Sequence, residues 1–267
     1  MLLVLCIFQS ASAQNNRTTE TKIADILAQM PTEDLDHSNK LMGEIIELKE
    51  EGIIQICRML TPAGTGDDTQ VRYALESLAA YVGGQQDKIG ENVMERVFLK
   101  SIESVRDIEV KTFLIERLIY CGSNVSVAQL SKYLSSPVLF NPTLAALTAI
   151  ATPKAGNAIM IAARNADINK KAALIAALGQ LRHVPSVNFL HESGRDKSPI
   201  IQREVLMALA EIAVQGSGGV LLDAVKRAKF NLDESQAILA YVHYGKRLAE
   251  NGKMDLSANV GNELLKN

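Results

Sequence analysis

Three stretches of this chain can be laid over one another: "DTQVRYALESLAAYVGG" (68–84), "DIEVKTFLIERLIYCG" (107–122) and "DINKKAALIAALGQLRH" (167–183). Each opens on Asp, carries Arg or Lys four residues on, and continues with apolar residues at helical spacing. The pairs are Asp68 with Arg72, Asp107 with Lys111 and Asp167 with Lys171. "SPIIQREVLMALAEIAVQG" (198–216) fits the same frame through Arg203, with Pro199 where Asp would stand. Looser copies follow at 141–153 and 231–252. Shorter second helices lie between them, at 125–136, 154–166, 185–194 and 217–230, joined by turns of Gly, Pro, Asn and Asp. A tandem array at this period cannot bury its apolar faces one unit at a time, so the units must stack. Segment 198–216 is apolar nearly all round because it touches its own partner helix and the pairs on either side.

The expected fold is therefore all-α: antiparallel helix pairs wound into a right-handed α-α superhelix. Composition agrees, with 47% apolar residues but only 4% aromatic and no Trp, which suits helices packed through small side chains. In the Asp-x-x-x-Arg/Lys element, Asp caps the helix start and the base four positions on returns a salt bridge to the same or adjacent turn. Asp68, Arg72, Asp107, Lys111, Asp167, Lys171 and Arg203 are read as this structural ladder.

The motif resembles HEAT repeats (a HEAT-like or armadillo-like solenoid) of the short bacterial type, over roughly residues 68 to 250. The first part, from "RTTETKIADILAQMPTEDL" onward, resembles the N-terminal repeat region of large exported proteins of Bacteroidetes type. In those chains such a solenoid precedes a jelly-roll domain of the 3-keto-disaccharide hydrolase class. The division expected is a signal peptide at 1–13, a helical capping region at 14–66, and repeats over 67–267 that stop without a closing cap, as in a fragment. The signal reading rests on the Leu2–Phe8 apolar run and on Ala11-Ser12-Ala13, and implies a periplasmic or envelope location. Asn16-Arg17-Thr18 and Asn124-Val125-Ser126 match the N-glycosylation pattern.

A formal net charge of −2 provides no basic field for nucleic acid. The loop "TPAGTGDDT" (61–69) lacks the Lys of a phosphate cradle and carries Asp67 and Asp68, which repel an anion. The four histidines have no zinc spacing. His191-Glu192 is the one His-Glu pair where resemblance to deoxyhypusine hydroxylase would require four. Bilin lyases and alkyl-base DNA glycosylases also use HEAT-like solenoids, but an exported chain does not suit the first, nor an acidic, Trp-free one the second. The expectation is a non-catalytic scaffold without cofactor, metal or membrane span, binding a protein partner or its own downstream domain. The alternative is an accessory module of a carbohydrate-active envelope protein that holds glycan. The candidate binding residues form a stripe on the second helices: Lys132, Tyr133, Arg164, His191, Glu192, Lys226 and Arg227.

Overall fold

The computed structural model describes residues 17–84 and 88–267; the predicted signal segment lies outside the described residues. Among these, fifteen α-helices and no strand are found. They are α1 (Thr19–Leu27), α2 (Leu35–Glu47), α3 (Lys49–Arg58), α4 (Thr69–Gly84), α5 (Lys88–Ser104), α6 (Ile108–Cys121), α7 (Asn124–Leu130) and α8 (Phe140–Ile150). Then come α9 (Pro153–Arg164), α10 (Ile168–Gln180), α11 (Val187–Ser193), α12 (Pro199–Ile212), α13 (Gly218–Arg227), α14 (Ala237–Glu250) and α15 (Met254–Leu265).

From α2 onward the helices fall into two rows. In the first row α2, α4, α6, α8, α10, α12 and α14 pack side to side in that order. In the second, α3 packs on α5, α5 on α7, and α7 on α9. The described residues thus form a HEAT-like helical solenoid. From α4 to α14, successive first-row helices start 28 to 39 residues apart. α5 is one second helix more than the sequence pattern reveals.

Local chemistry sets the boundaries. Asp34, Asp107 and Asp167 cap α2, α6 and α10 by accepting main-chain N–H bonds, as do Thr18, Ser123 and Thr152 for α1, α7 and α9. Pro begins α9 and α12, where its missing N–H is harmless. The C-terminal turns depart from the expected glycines: Ala151, Arg182 and Ala213 adopt left-handed conformations at φ 52°, 49° and 52°. Arg182 donates its N–H to the Gly179 carbonyl and His183 donates to Leu178, which closes the end of α10.

Helix α12 answers the question its composition raises. Ile201, Val205 and Leu209 enter the large core that runs from α1 to this point, whereas Leu206 and Ala210 enter a second core with α13, α14 and Val260. One helix therefore serves two cores. Its buried Leu, Ile and Val residues each contribute about 1.5–3 kcal/mol relative to exposure. α10 and α12 approach so closely at Gly179 that a Cβ there would sit 2.7 Å from the Cα of Ala208.

Candidate binding groove

The capping residues of the repeat reach further than their own helix. The Asp68 carboxylate accepts from Arg72 Nε at 2.9 Å and from the Thr61 N–H at 2.9 Å. Arg72 then donates Nη1 and Nη2 to the two oxygens of Glu109 at 2.7 and 2.8 Å, which ties α4 to α6. Those bonds to Glu109 are the main reason Arg72 holds its proton more firmly than a free guanidinium; burial works against it and Asp68 adds to it. The Asp68 carboxyl is pushed up by burial, but the Arg72 and Thr61 bonds outweigh this and hold it below its ordinary value. Lys171 likewise reaches Asp196, ahead of α12, at 3.4 Å. Lys111 instead lies over the Tyr133 ring, 5.6 Å from its centroid. Arg203 pairs with its neighbour Glu204 at 2.9 Å.

On the second row the structure gathers part of the predicted stripe. Arg164 on α9 lies over the Phe189 ring at 5.1 Å and 3.9 Å from Glu192 on α11. His191 Nε2 is 3.3 Å from the buried Ser217 hydroxyl. Lys132 and Tyr133 sit apart, in the 3-10 turn Ser131–Ser135, and Lys226 and Arg227 are exposed at the end of α13. Arg164, His191 and Glu192 thus form one neighbourhood, apart from the two flanking pairs.

The second row also holds a residue that sequence reasoning missed. Glu95 of α5 is only 2% exposed. Its carboxylate accepts the N–H groups of Ser123 and Ser126 at 2.7 and 3.0 Å and both their hydroxyls at 2.8 and 2.6 Å. It therefore caps α7 from the neighbouring repeat. The Ser126 hydroxyl of the second glycosylation pattern is buried in this arrangement; Asn16 of the first lies outside the described residues.

The first row carries the more open feature. Between α6, α8 and α10 runs a groove of about 610 Å³, lined by Ile119, Leu144, Thr148, Ala149, Ala173 and Ala176 among others. It shares Ala176 and Gln180 with a second depression of about 450 Å³ between α10, α12 and α14. Ala145, Ala149, Ala176 and Gln180 are exposed, and small side chains keep the groove open. Its far end is polar. Glu211 on α12 receives Arg182 Nε at 2.8 Å and lies 2.6 Å from His243 Nε2, with Arg247 Nε at 3.4 Å. Burial pushes the Glu211 carboxyl up, yet His243, Arg182 and Arg247 together hold it below the ordinary range. One carboxylate joins the ends of three successive first-row helices. Among the described residues no cluster of three or more His, Cys, Asp and Glu is placed to hold a metal, and no helix is long and apolar enough to cross a membrane. Cys57 and Cys121 are buried and are not joined to each other, and burial pushes the Cys57 thiol up to about 12.

No protein-family model matches the sequence, and no curated protein matches it either. Among solved structures it is similar to the complex of CpcE and CpcF of phycocyanin lyase from a Nostoc species. The identity is 14% and the TM-score 0.39, over 98% of this chain and 100% of that one. The expectation of a non-catalytic chain is corrected by this comparison: the similar structure is described as a phycocyanin lyase, so a helical stack is no ground for excluding an enzyme.

Proposed function

We propose that this chain is a helical-repeat scaffold that binds a protein partner along the groove of its first helix row. The observation that carries the reading is the continuity of the two depressions across five successive first-row helices, from α6 to α14. A stack of small residues with an apolar middle and a polar end offers a length of surface suited to an extended or helical segment. Export to the envelope, beside a downstream domain, belongs to the same proposal. It is supported by the Leu2–Phe8 run, by Ala11-Ser12-Ala13 and by the resemblance to exported Bacteroidetes-type chains.

The test is retention of host proteins on the immobilised chain, compared with Ala149→Arg and Ala176→Arg variants. Both positions are exposed, so the variants should keep the parent melting temperature while losing a partner that the parent retains. Equal retention by parent and variants would remove the groove from the proposal.

A further inference from the structure

His183 follows the left-handed Arg182 at the end of α10 and is 5% exposed. Its ring lies against Gly156 inside α9, where a Cβ would fall 2.3 Å from His183 Cδ2. A glycine within a helix costs about 1 kcal/mol relative to alanine. Here it opens the space that an imidazole fills. Neither ring nitrogen has a well-formed hydrogen bond. Burial favours the neutral ring, and the Pro153 main chain offsets this only in part.

The charged groups on the surrounding elements are all directed elsewhere. On α9, Lys154 donates to the Asn124 carbonyl and Arg164 faces Glu192. On α10, Lys170 donates to the Ser135 carbonyl and Lys171 to Asp196, while Arg182 beyond its end holds Glu211. On α11, Glu192 faces Arg164 and His191 meets Ser217. α7 and α8, which also pack on α9, contain no charged residue, the 3-10 turn Ser131–Ser135 against α9 carries only the exposed Lys132, and on α12 Arg203 is paired with Glu204. A proton arriving on this imidazole therefore meets no carboxylate.

We infer that His183 is an acid-sensitive latch: protonation of its buried ring opens the junction where the end of α10 packs on α9. The imidazole is neutral in the closed junction and charged in the open one. Opening is therefore suppressed above the ordinary histidine value near 6.5 and becomes easier as pH falls below it, by about tenfold per pH unit until the closed form also takes up the proton.

The experiment is amide hydrogen exchange on the whole chain between pH 7.5 and 5, normalised for intrinsic exchange, with the ring of His183 followed by NMR. Protection in α9 and the end of α10 should fall on acidification while that in α4 and α6 holds, and His183→Leu should flatten the response. Unchanged protection at the junction, or the same fall in His183→Leu, overturns the latch. Should that variant not fold, the parent ring decides. A ring that stays neutral until the junction opens supports the inference, and one that titrates at its ordinary value in the closed junction overturns it.

Discussion

The two rows of this solenoid are joined by different means. First-row neighbours meet along broad apolar sides, close enough at Gly179 to exclude a methyl group, and the Arg182 side chain that pairs with Glu211 at the end of α10 is half-exposed. Second-row neighbours are stitched across repeats by hydrogen bonds, beside the ion pairs of Arg96 and Lys100 on α5 with Glu50 on α3. Glu95 takes four bonds from Ser123 and Ser126, Gln129 donates to the Leu99 carbonyl at 3.0 Å, and Lys154 donates to the Asn124 carbonyl at 3.0 Å. The difference teaches where each row is vulnerable. A buried acceptor, once removed, leaves several donors without partners, whereas a half-exposed ion pair is largely replaced by water.

The comparison is broken most severely at Glu95. Glu95→Ala should cost about 3 kcal/mol in urea unfolding, because two N–H groups and two hydroxyls lose their acceptor. Glu95→Gln, which keeps one acceptor oxygen, should recover more than half of that. Equal losses would mean that charge, not hydrogen-bond geometry, joins α5 to α7.

Next comes the close approach of the first row. Gly179→Ala forces a methyl against the Ala208 backbone and should lower stability by about 1–3 kcal/mol. Gly219 of α13 has nothing within 4 Å of a built Cβ, so Gly219→Ala should be neutral or stabilising by up to about 1 kcal/mol. Thermal melts of the two variants side by side decide it. Arg182→Ala should cost under about 1 kcal/mol, and the cost should shrink in high salt.

Acid bears on the first row through its carboxylates. Asp68, Asp196 and Glu211 are all held below their ordinary values in the folded chain. Their contribution is complete above the ordinary carboxylate range and is lost as pH falls through the lowered folded values. Urea midpoints measured from pH 6 to pH 3 should therefore decline, and substituting Glu211 by Gln should flatten part of that decline. The smallest expected effect is at the helix ends. Ala151→Gly and Ala213→Gly replace left-handed alanines and should gain up to about 1 kcal/mol each in melting experiments.

What the sequence made legible is the first row, where Asp, a base four positions on and a shared apolar register repeat in phase, together with the second helices α7, α9, α11 and α13 between the turns. What it hid has physical reasons. α5 has Glu, Arg and Lys spread between its apolar positions and, although Asp87 precedes it in the sequence, Glu91 stands where the repeat has its base, so its pattern is diluted. Glu95 reads as an ordinary helical acid because its donors lie 28 and 31 positions away. The groove was hidden because alanine looks alike inside and outside: Ala172 and Ala177 are buried while Ala176 between them is exposed. Arg72 and Lys171 were legible as ion-pairing residues, but not their cross-repeat partners Glu109 and Asp196, nor the Tyr133 ring under Lys111, which depend on how the units stack.

The proposal that the first-row groove is the face that binds is tested most directly by placing a photo-crosslinking residue, in the chain's own host, at Ala149 or Ala176 in the groove and at Ile161 or Lys226 on the opposite row. The account predicts one shared crosslinked protein from both groove positions and none of it from the other two. Capture of the same protein from Ile161 and Lys226, with nothing from the groove, would contradict it and move recognition to the second row.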